Sequence, residues 1–187
     1  IRLTTHNRIA DEYNEHELWA LKSPSYTFDA TIDKDFPEYD FPTDRRLTLK
    51  TGAQVMFIKN DPKGRYFNGR IGKVTYVDAH QILVHCPGDE KAIEVEKETW
   101  ENTKYKLNEE SRQIESEVIG TFTQYPLRLA WAITIHKSQG LTFEHAIIDA
   151  QLSFAPGQVY VALSRCKTLK GMVLASPIPP TAIKNDP

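Results

Sequence analysis

Residues 132–143 read AITIHKSQGLTF, an apolar run of strand character that passes into a polar turn containing glycine. A second apolar run follows at 146–148. A turn at the end of a strand offers backbone and side-chain hydrogen-bond donors to phosphates or nucleobases. The segment therefore predicts an α/β domain whose ligand-binding groups lie where a strand ends.

A helix is predicted after these strands. Pro156 and Gly157 come before four apolar residues at the spacing i, i+3, i+4 and i+7, namely Val159, Ala162, Leu163 and Cys166. Gly171 is the predicted C-cap, and a buried strand is predicted at 172–175. Arg165 lies next to core-facing residues of this helix, and a guanidinium group suits the charge that develops on a phosphoryl group during transfer.

The beginning of the chain predicts a strand and then a helix. Residues 1–5 have the alternating pattern of a strand, and apolar residues recur at helical spacing from 9 to 21. Thr5, His6 and Asn7 lie at the junction, where hydroxyl and amide groups can hold a phosphate. The alternative for Asn7 is the N-cap of the helix, and the two roles are compatible.

Residues 47–122 show the pattern of a small all-β module. Short β-prone runs follow each other closely, with turn signals at Asn68-Gly69 and Pro87-Gly88. An SH3-like barrel is the simplest architecture for such a module. Because the module interrupts the α/β pattern, we predict a discontinuous α/β domain at 1–46 and 123–187 with the β module inserted between its parts.

The segments 132–143 and 157–166, in this order and spacing, resemble the late motifs of superfamily-one helicases. IHKSQGLTF together with GQVYVALSRC is similar to the Pif (petite integration frequency) family and its RecD/TraI relatives. LKTGAQVMFIKND at 49–61, followed by YFNGRIGKV at 66–74, resembles that family's entry into an SH3-like insertion, and LTTHNRIADEYN at 3–14 resembles the preceding helicase motif. The resemblance covers nearly the whole chain. It implies the carboxy-terminal part of a superfamily 1B helicase, with a second RecA-like domain of P-loop NTPase-like fold and an inserted SH3-like β-barrel.

The resemblance also implies roles for residues at the nucleotide. Arg165 would be the catalytic arginine that reaches across a cleft to the γ-phosphate of ATP and stabilises the transition state. The alternative for this side chain is a surface salt bridge. Gln139 and Gly140 would lie near the nucleotide. Thr142 stands where the related UvrD branch has a ribose-binding glutamate, which leaves direct ribose contact open.

The resemblance implies contacts with single-stranded DNA for Thr5, His6 and Asn7. It implies the same contacts for His136, Lys137 and Ser138. These residues match the part of the motif that faces DNA, where a ring can stack on a base and amino or hydroxyl groups can bind phosphates. The alternative for His136 is a histidine with a purely structural role.

A second candidate DNA surface lies in the β module. Its densest basic cluster interleaves polar and cationic side chains with aromatic rings, as a surface for single strands requires; the residues are Lys59, Asn60, Lys63, Arg65, Tyr66, Phe67 and Arg70. Lys59 and Asn60 are the predicted DNA contacts, and a solvated hairpin tip is the alternative. Trp19, Trp100 and Trp131 are assigned to core packing.

The activity that the resemblance implies is that of an ATP-dependent DNA helicase. Such an enzyme uses ATP and Mg²⁺, translocates 5′-to-3′ on single-stranded DNA and unwinds duplexes or G-quadruplexes. Its implied partners are single-stranded DNA, DNA junctions and a first RecA-like domain that supplies the Mg²⁺ ligands. A non-enzymatic nucleic-acid- or protein-binding module and an inactive helicase relic are the alternatives.

The phosphate-binding loop GxxxxGK[ST] does not occur in this sequence. The one Gly-Lys pair, Gly72-Lys73, has no glycine five residues earlier and is followed by valine. We therefore expect that this chain does not hydrolyse ATP by itself and holds no metal. Because residue 1 already has strand character, we expect a piece of a larger protein.

Composition limits the possible classes of protein. The 187 residues carry a net charge of −2, so contacts with nucleic acid must come from local groups of cations. No apolar stretch approaches the roughly 20 residues of a membrane span, and no signal segment opens the chain. Cys86 and Cys166 lack metal-ligand spacing and are expected to be reduced thiols. We expect a soluble, monomeric, intracellular protein without a membrane partner, cytoplasmic in a bacterium and nuclear or mitochondrial in a eukaryote.

Overall fold

The computed structural model describes residues 1–107, 114–153 and 155–183. They form two compact units, Ile1–Lys22 with Leu129–Pro187 and Ser23–Arg128. The strands are β1 (Arg2–Thr4), β2 (Ser25–Asp29), β3 (Thr31–Lys34), β4 (Arg46–Lys50), β5 (Gln54–Phe57), β6 (Ile71–Val77), β7 (Ile82–His85), β8 (Ile93–Glu94), β9 (Glu98–Leu107), β10 (Ile114–Gln124), β11 (Leu127–Leu129), β12 (Ala132–Thr134), β13 (Ala146–Ile148) and β14 (Met172–Leu174). The α-helices are α1 (Asn7–Ala20) and α2 (Gln158–Leu163), and short 3-10 helices lie at Glu38–Asp40, His136–Ser138, Leu169–Gly171 and Pro180–Ala182.

The discontinuous unit is built on a parallel sheet with the strand order β12-β1-β13-β14. Leu3 in the central part of this sheet is fully buried and pairs with Ile133 on one side and Ile148 on the other. The parallel sheet and its helices confirm the α/β prediction. The prediction of a buried final strand is wrong, because β14 is an edge strand whose Val173 and Leu174 are 57% and 43% exposed.

Helix α1 packs on the sheet through a single stripe. The buried residues are spaced i, i+4 and i+8, namely Ala10, Asn14 and Leu18. His6 occupies the N-cap position in extended backbone, so the alternative that Asn7 is the N-cap is wrong: Asn7 is already the first helical residue. Trp19, predicted to pack in the core, is 62% exposed, because it follows Leu18 and points away from the buried stripe.

Helix α2 is shorter than the sequence pattern predicts. It ends at Leu163, and Ser164 is its C-cap. Gly171 is therefore not the C-cap; it ends the 3-10 helix Leu169–Gly171 that leads into β14. A Cβ atom at Gly171 would collide with the carbonyl oxygen of Glu144. Close approach of two backbone segments, rather than a helix end, explains the glycine.

The continuous unit is built from antiparallel pairs. β5, β6, β7 and β8 pair in succession, with β11 on the other side of β5, while β2 pairs with β4 and β10 lies between β3 and β9. Gly69 and Gly88 have positive φ angles of 91° and 89°, as the predicted turns require. Within the described residues no pairing joins β8 back to β11. The SH3-like barrel is therefore not confirmed and stays a prediction.

The compact units begin and end at residues other than the predicted domain limits. β2 pairs with β4, and β3 pairs with β10, so residues 25–34 belong with the β-rich unit. The limits 1–46 with 123–187 for the RecA-like domain and 47–122 for the inserted subdomain stay a prediction. Residues 108–113, 154 and 184–187 of those ranges lie outside the described residues.

The hairpin of β9 and β10 is an element that the sequence analysis does not predict. Polar and charged residues outnumber apolar ones in both strands, and the apolar side chains near the hairpin's end are not buried: Tyr105 is 70% exposed and Ile114 73%. On the other face of the ribbon, Lys106 Nζ lies 2.6 Å from Glu117 Oε2. Strands with few apolar residues and no regular alternation give little hydrophobic signal, which explains the omission.

Candidate nucleic-acid interface

A cavity of about 430 Å³ opens in the discontinuous unit. The described residues that line it come from three segments: Thr5, His6 and Asn7; Thr134, Ile135, His136, Lys137 and Gln139; and Ala155, Pro156, Gln158 and Val161. Five predicted DNA contacts and one predicted nucleotide contact are among them. The cavity therefore brings together residues that lie about 130 positions apart in the sequence.

The first two segments meet because β1 and β12 are parallel neighbours. Each segment follows the carboxyl end of its strand, and the register pairs Thr4 with Thr134. The Ile135 N–H extends the pairing by donating to the Thr4 carbonyl at 2.8 Å. Segments that follow adjacent parallel strands meet at one edge of the sheet, which is the usual ligand site of open α/β sheets.

Imidazole and ammonium groups contribute the cationic and aromatic character of this cavity. His6, His136 and Lys137 are all exposed. The hydroxyl of the buried Thr5 lies 2.7 Å from His6 Nδ1 and orients that ring. The backbone N–H of Lys137 donates to Thr134 Oγ1 at 3.3 Å, which fixes the start of the turn. Rings that can stack on bases and an ammonium that can bind a phosphate thus share one cavity.

Ser138 differs from the other predicted DNA contacts. Its side chain is fully buried, and its hydroxyl donates to the Ile135 carbonyl at 2.6 Å. It is not among the residues that line the cavity. In this structure Ser138 closes the 3-10 turn that carries His136 and Lys137.

The third lining segment is one that sequence reasoning assigns no role at the site. Gln158, the first residue of α2, is buried, and its Oε1 accepts a hydrogen bond from Ser153 Oγ at 2.9 Å and one from the Ala155 N–H at 3.5 Å. Gln158 thereby holds the loop that contributes Ala155 and Pro156 to the cavity. The available signal was the glutamine directly after Gly157 in GQVYVALSRC.

Arg165 lies against the turn that contains the other predicted nucleotide contacts. Its Nε donates to the Val161 carbonyl at 3.1 Å, Nη1 to the Leu141 carbonyl at 3.2 Å and Nη2 to Ser164 Oγ at 2.9 Å. None of these three acceptors is a carboxylate. The Phe143 N–H donates to the Arg165 carbonyl at 2.8 Å, so the turn and the end of α2 are joined through backbone as well.

The three remaining nucleotide candidates lie in or beside that turn. Gln139 lines the cavity. Gln139, Gly140 and Thr142 are all exposed. Gly140 has a φ angle of 78°, a conformation that glycine adopts without strain. The structure therefore places all four predicted nucleotide contacts in one short region, with Arg165 held at its base.

The basic cluster of the continuous unit is paired with carboxylates. Four ion pairs account for its cations: Lys59 with Glu98 at 3.0 Å, Lys63 with Glu96 at 3.0 Å, Arg65 with Asp61 at 2.6 Å, and Arg70 with Asp89. Asn60 Oδ1 accepts a hydrogen bond from the Asn68 N–H at 2.8 Å. The cluster is therefore not an uncompensated positive surface, and its cations help to hold the surrounding loops.

The ion pair of Arg65 with Asp61 lowers the pKa of the carboxylate. Asp61 accepts from Arg65 Nε, from the Arg65 N–H at 3.0 Å and from Arg65 Nη2 at 3.2 Å. These bonds, chiefly the one from the guanidinium, lower the pKa of Asp61 from 3.8 to about 2. Nearby, burial raises the pKa of Tyr66 to about 12. Both groups keep one protonation state at neutral pH.

Neither a metal-binding group nor a helix that could span a membrane is found in the part of the chain that the structure describes. No group of three or more His, Cys, Asp and Glu side chains in residues 1–107, 114–153 and 155–183 could hold a metal ion. No helix in the same ranges combines the length and the apolar character that a membrane crossing needs.

The related sequences and the similar solved structures belong to the same group of proteins. No protein-family model matches the chain. The structure of unliganded Pif1 from Bacteroides sp. superposes with a TM-score of 0.89 at 42% identity, over 100% of this chain and 42% of that one. The ATP-dependent DNA helicase Pif1 of Psychrobacter sp. (strain PRwf-1) is 34% identical over 92% of this chain and 33% of its own length. The human helicase PIF1 is 36% identical over 100% of this chain and 28% of its own length.

The chain is homologous to the Pif1 helicases. It spans about a third of the length of the curated Pif1 relatives that it matches. Bacteroides Pif1 has also been solved bound to single-stranded DNA, a structure that superposes with a TM-score of 0.79 at 42% identity. A further Bacteroides Pif1 structure contains ADP-AlF4 and superposes with a TM-score of 0.87. The resemblance to the Pif family that the motifs indicate is confirmed.

Proposed function

We propose that this chain is part of an ATP-dependent DNA helicase of the Pif1 type and that its 430 Å³ cavity contacts single-stranded DNA. The observation that carries the proposal is the convergence of the two motif segments, since His6 and Asn7 line the same cavity as His136 and Lys137. In this proposal the discontinuous unit is the second RecA-like domain, and the β-rich unit contains the SH3-like insertion.

The chemistry of the cavity suits a nucleic-acid strand better than a small metabolite. Imidazole rings can stack on bases without regard to sequence, and an ammonium group binds the phosphate between them. Apolar contacts from Ile135, Pro156 and Val161 give the cavity walls on which a base or a sugar can rest. Lys59 and Asn60 are proposed as a second point of contact, which requires Lys59 to exchange its Glu98 partner for a phosphate.

The nucleotide function is proposed for the neighbouring region. Arg165 offers a guanidinium next to Gln139, Gly140 and Thr142, and its fixed position at the base of the turn pre-organises that charge. ATP bound with Mg²⁺ would supply the free energy for movement along DNA, with the metal ligands contributed by a first RecA-like domain. The role of Arg165 is to stabilise the charge that develops on the γ-phosphate.

The same homology supports a proposal for the broader activity. We propose translocation from 5′ to 3′ on single-stranded DNA and unwinding of duplexes or G-quadruplexes by a monomer that also engages DNA junctions. A binding module that uses only the basic cluster is the rival function. The four ion pairs that compensate the cluster argue against it.

The proposal is tested by titrating the 187-residue chain with a fluorescent single-stranded oligothymidylate. The expected result is binding that weakens with added salt and weakens roughly tenfold in His136→Ala, since loss of one stacked base costs about 1–3 kcal/mol. Lys63→Ala is the matched control, because Lys63 lies in the paired basic cluster. Binding that is insensitive to His136→Ala and lost in Lys63→Ala would overturn the proposal in favour of the rival module.

A further inference from the structure

One buried side chain, Asn14, joins helix α1 to strand β12. Its Nδ2 donates to the Ala132 carbonyl at 2.8 Å, and its Oδ1 accepts from the Ala132 N–H at 2.8 Å. Asn14 is only 7% exposed. Both polar ends of the carboxamide are therefore used by the backbone of one residue, and we refer to this pair of bonds as the Asn14 clamp.

The clamp compensates for the position of β12 at the edge of the parallel sheet. The outward-facing backbone groups of an edge strand have no neighbouring strand, yet buried backbone groups need hydrogen-bond partners. Asn14 supplies at Ala132 the two bonds that a further strand would make. Because a slide of the helix by one turn, about 5.4 Å, would break both bonds, the clamp fixes the register of α1 against β12.

The clamp joins the two elements whose ends carry lining segments of the cavity. Helix α1 begins at Asn7, directly after His6 and two turns before Asn14. Strand β12 ends at Thr134, two residues before His136. Because Thr4 pairs with Thr134, the β1–β12 ladder holds the two strand ends together, and a shift of the helix at the clamp would move its N-terminus, with His6 and Asn7, relative to His136.

We infer that Asn14 is a positioning residue for single-stranded DNA, because it fixes the position of His6 relative to His136 in the cavity. The inference rests on the proposed function and deepens it. Asn14 does not itself line the cavity, so it acts through the residues that do. Its contribution is pre-organisation: without the clamp, part of the binding free energy is used to order the two segments that carry His6 and His136.

The first test compares the oligothymidylate affinities of two variants of the 187-residue chain at a temperature where circular dichroism shows each to be folded. Asn14→Ala removes both bonds and is expected to weaken binding roughly tenfold. Leu18→Ala shortens another buried side chain of the same helix, leaves the clamp intact and is expected to change the affinity less than twofold. Asn14→Asp is the second clamp variant; its carboxylate loses the donor to the Ala132 carbonyl, so binding weakens here also.

The second test is a double-mutant cycle, which responds to positioning and not to stability alone. If Asn14 acts through His136, Asn14→Ala has little further effect in a His136→Ala background, while it adds fully to Lys63→Ala. Equal effects of Asn14→Ala and Leu18→Ala, or full additivity with His136→Ala, would overturn the inference. Failure of the wild-type chain to bind, or indifference to His136→Ala, would instead overturn the proposed function.

Discussion

Replacing Asp61 by asparagine removes the carboxylate that organises the basic cluster. The Asp61 side chain is only 2% exposed, and Arg65, its partner, is 30% exposed. Three hydrogen bonds from Arg65 converge on this carboxylate. Asparagine has nearly the same size, so the change isolates the charge and the charge-assisted bonds from the packing.

The magnitude follows from the pKa of Asp61, which Arg65 lowers from 3.8 to about 2. A shift of this size corresponds to stabilisation on the order of 2 kcal/mol at neutral pH. The variant also leaves a partly buried guanidinium without its counter-ion, so the free energy of unfolding is expected to fall by about 2–4 kcal/mol. Because the folded-state pKa lies below the unfolded value, the contribution is present above about pH 4 and is lost as the pH falls towards 2.

The assay is urea unfolding followed by circular dichroism, for wild type and Asp61→Asn, at intervals from pH 7 to pH 2.5. The difference between the two proteins should be largest at pH 7 and shrink below pH 4. Glu96→Gln is the control, because Glu96 is 58% exposed and its pairs with Lys63 and Arg65 contribute little. A variant as stable as wild type at pH 7, or a difference that does not change with pH, would refute the reasoning.

Three further predictions concern single residues. Gly171→Ala should lower the free energy of unfolding by more than about 2 kcal/mol, because the added Cβ would meet the Glu144 carbonyl. Urea unfolding measures the change, and a neutral effect would contradict the close approach of the two backbone segments. In a chimera in which this chain replaces the matching part of Bacteroides Pif1, Arg165→Ala should reduce DNA-stimulated ATP turnover by about 10³-fold while single-strand affinity stays within about threefold; retained turnover would contradict the catalytic role. In native protein Cys86 should resist thiol reagents and Cys166 should react first, since Cys86 is fully buried and Cys166 is partly exposed. Mass spectrometry of modified peptides that shows Cys86 labelled first would contradict this.

The elements that place the site could be predicted from sequence because their patterns are local. The β13 limits match the predicted run at 146–148, β1 lies within the alternating run at 1–5, and β12 lies within the predicted apolar run. The junction at His6 and the turn at His136 were found by their polar residues at the ends of those runs. What the sequence could not show is their proximity, which depends on β1 and β12 being neighbours in the sheet.

The failures have physical causes that act over distance. Gly171 resembles a helix C-cap in sequence, but the reason for the glycine is the carbonyl of Glu144, a contact visible only in the fold. The basic cluster appears cationic along the chain because two of its partners, Glu96 and Glu98, come from more than 30 residues away. Asn14 is unremarkable in the sequence of α1, since its importance depends on the edge position of β12.

The most direct test of the central claim is a nuclear magnetic resonance titration of the ¹⁵N-labelled chain with a single-stranded oligothymidylate. The account predicts that amide shifts concentrate at residues 5–7, 134–139 and 155–158, the segments that line the cavity. The amides of residues 61–70, in the paired basic cluster, should move little at physiological salt. Shifts confined to residues 61–70, or none in the cavity at saturating oligonucleotide, would contradict the assignment of this cavity to DNA.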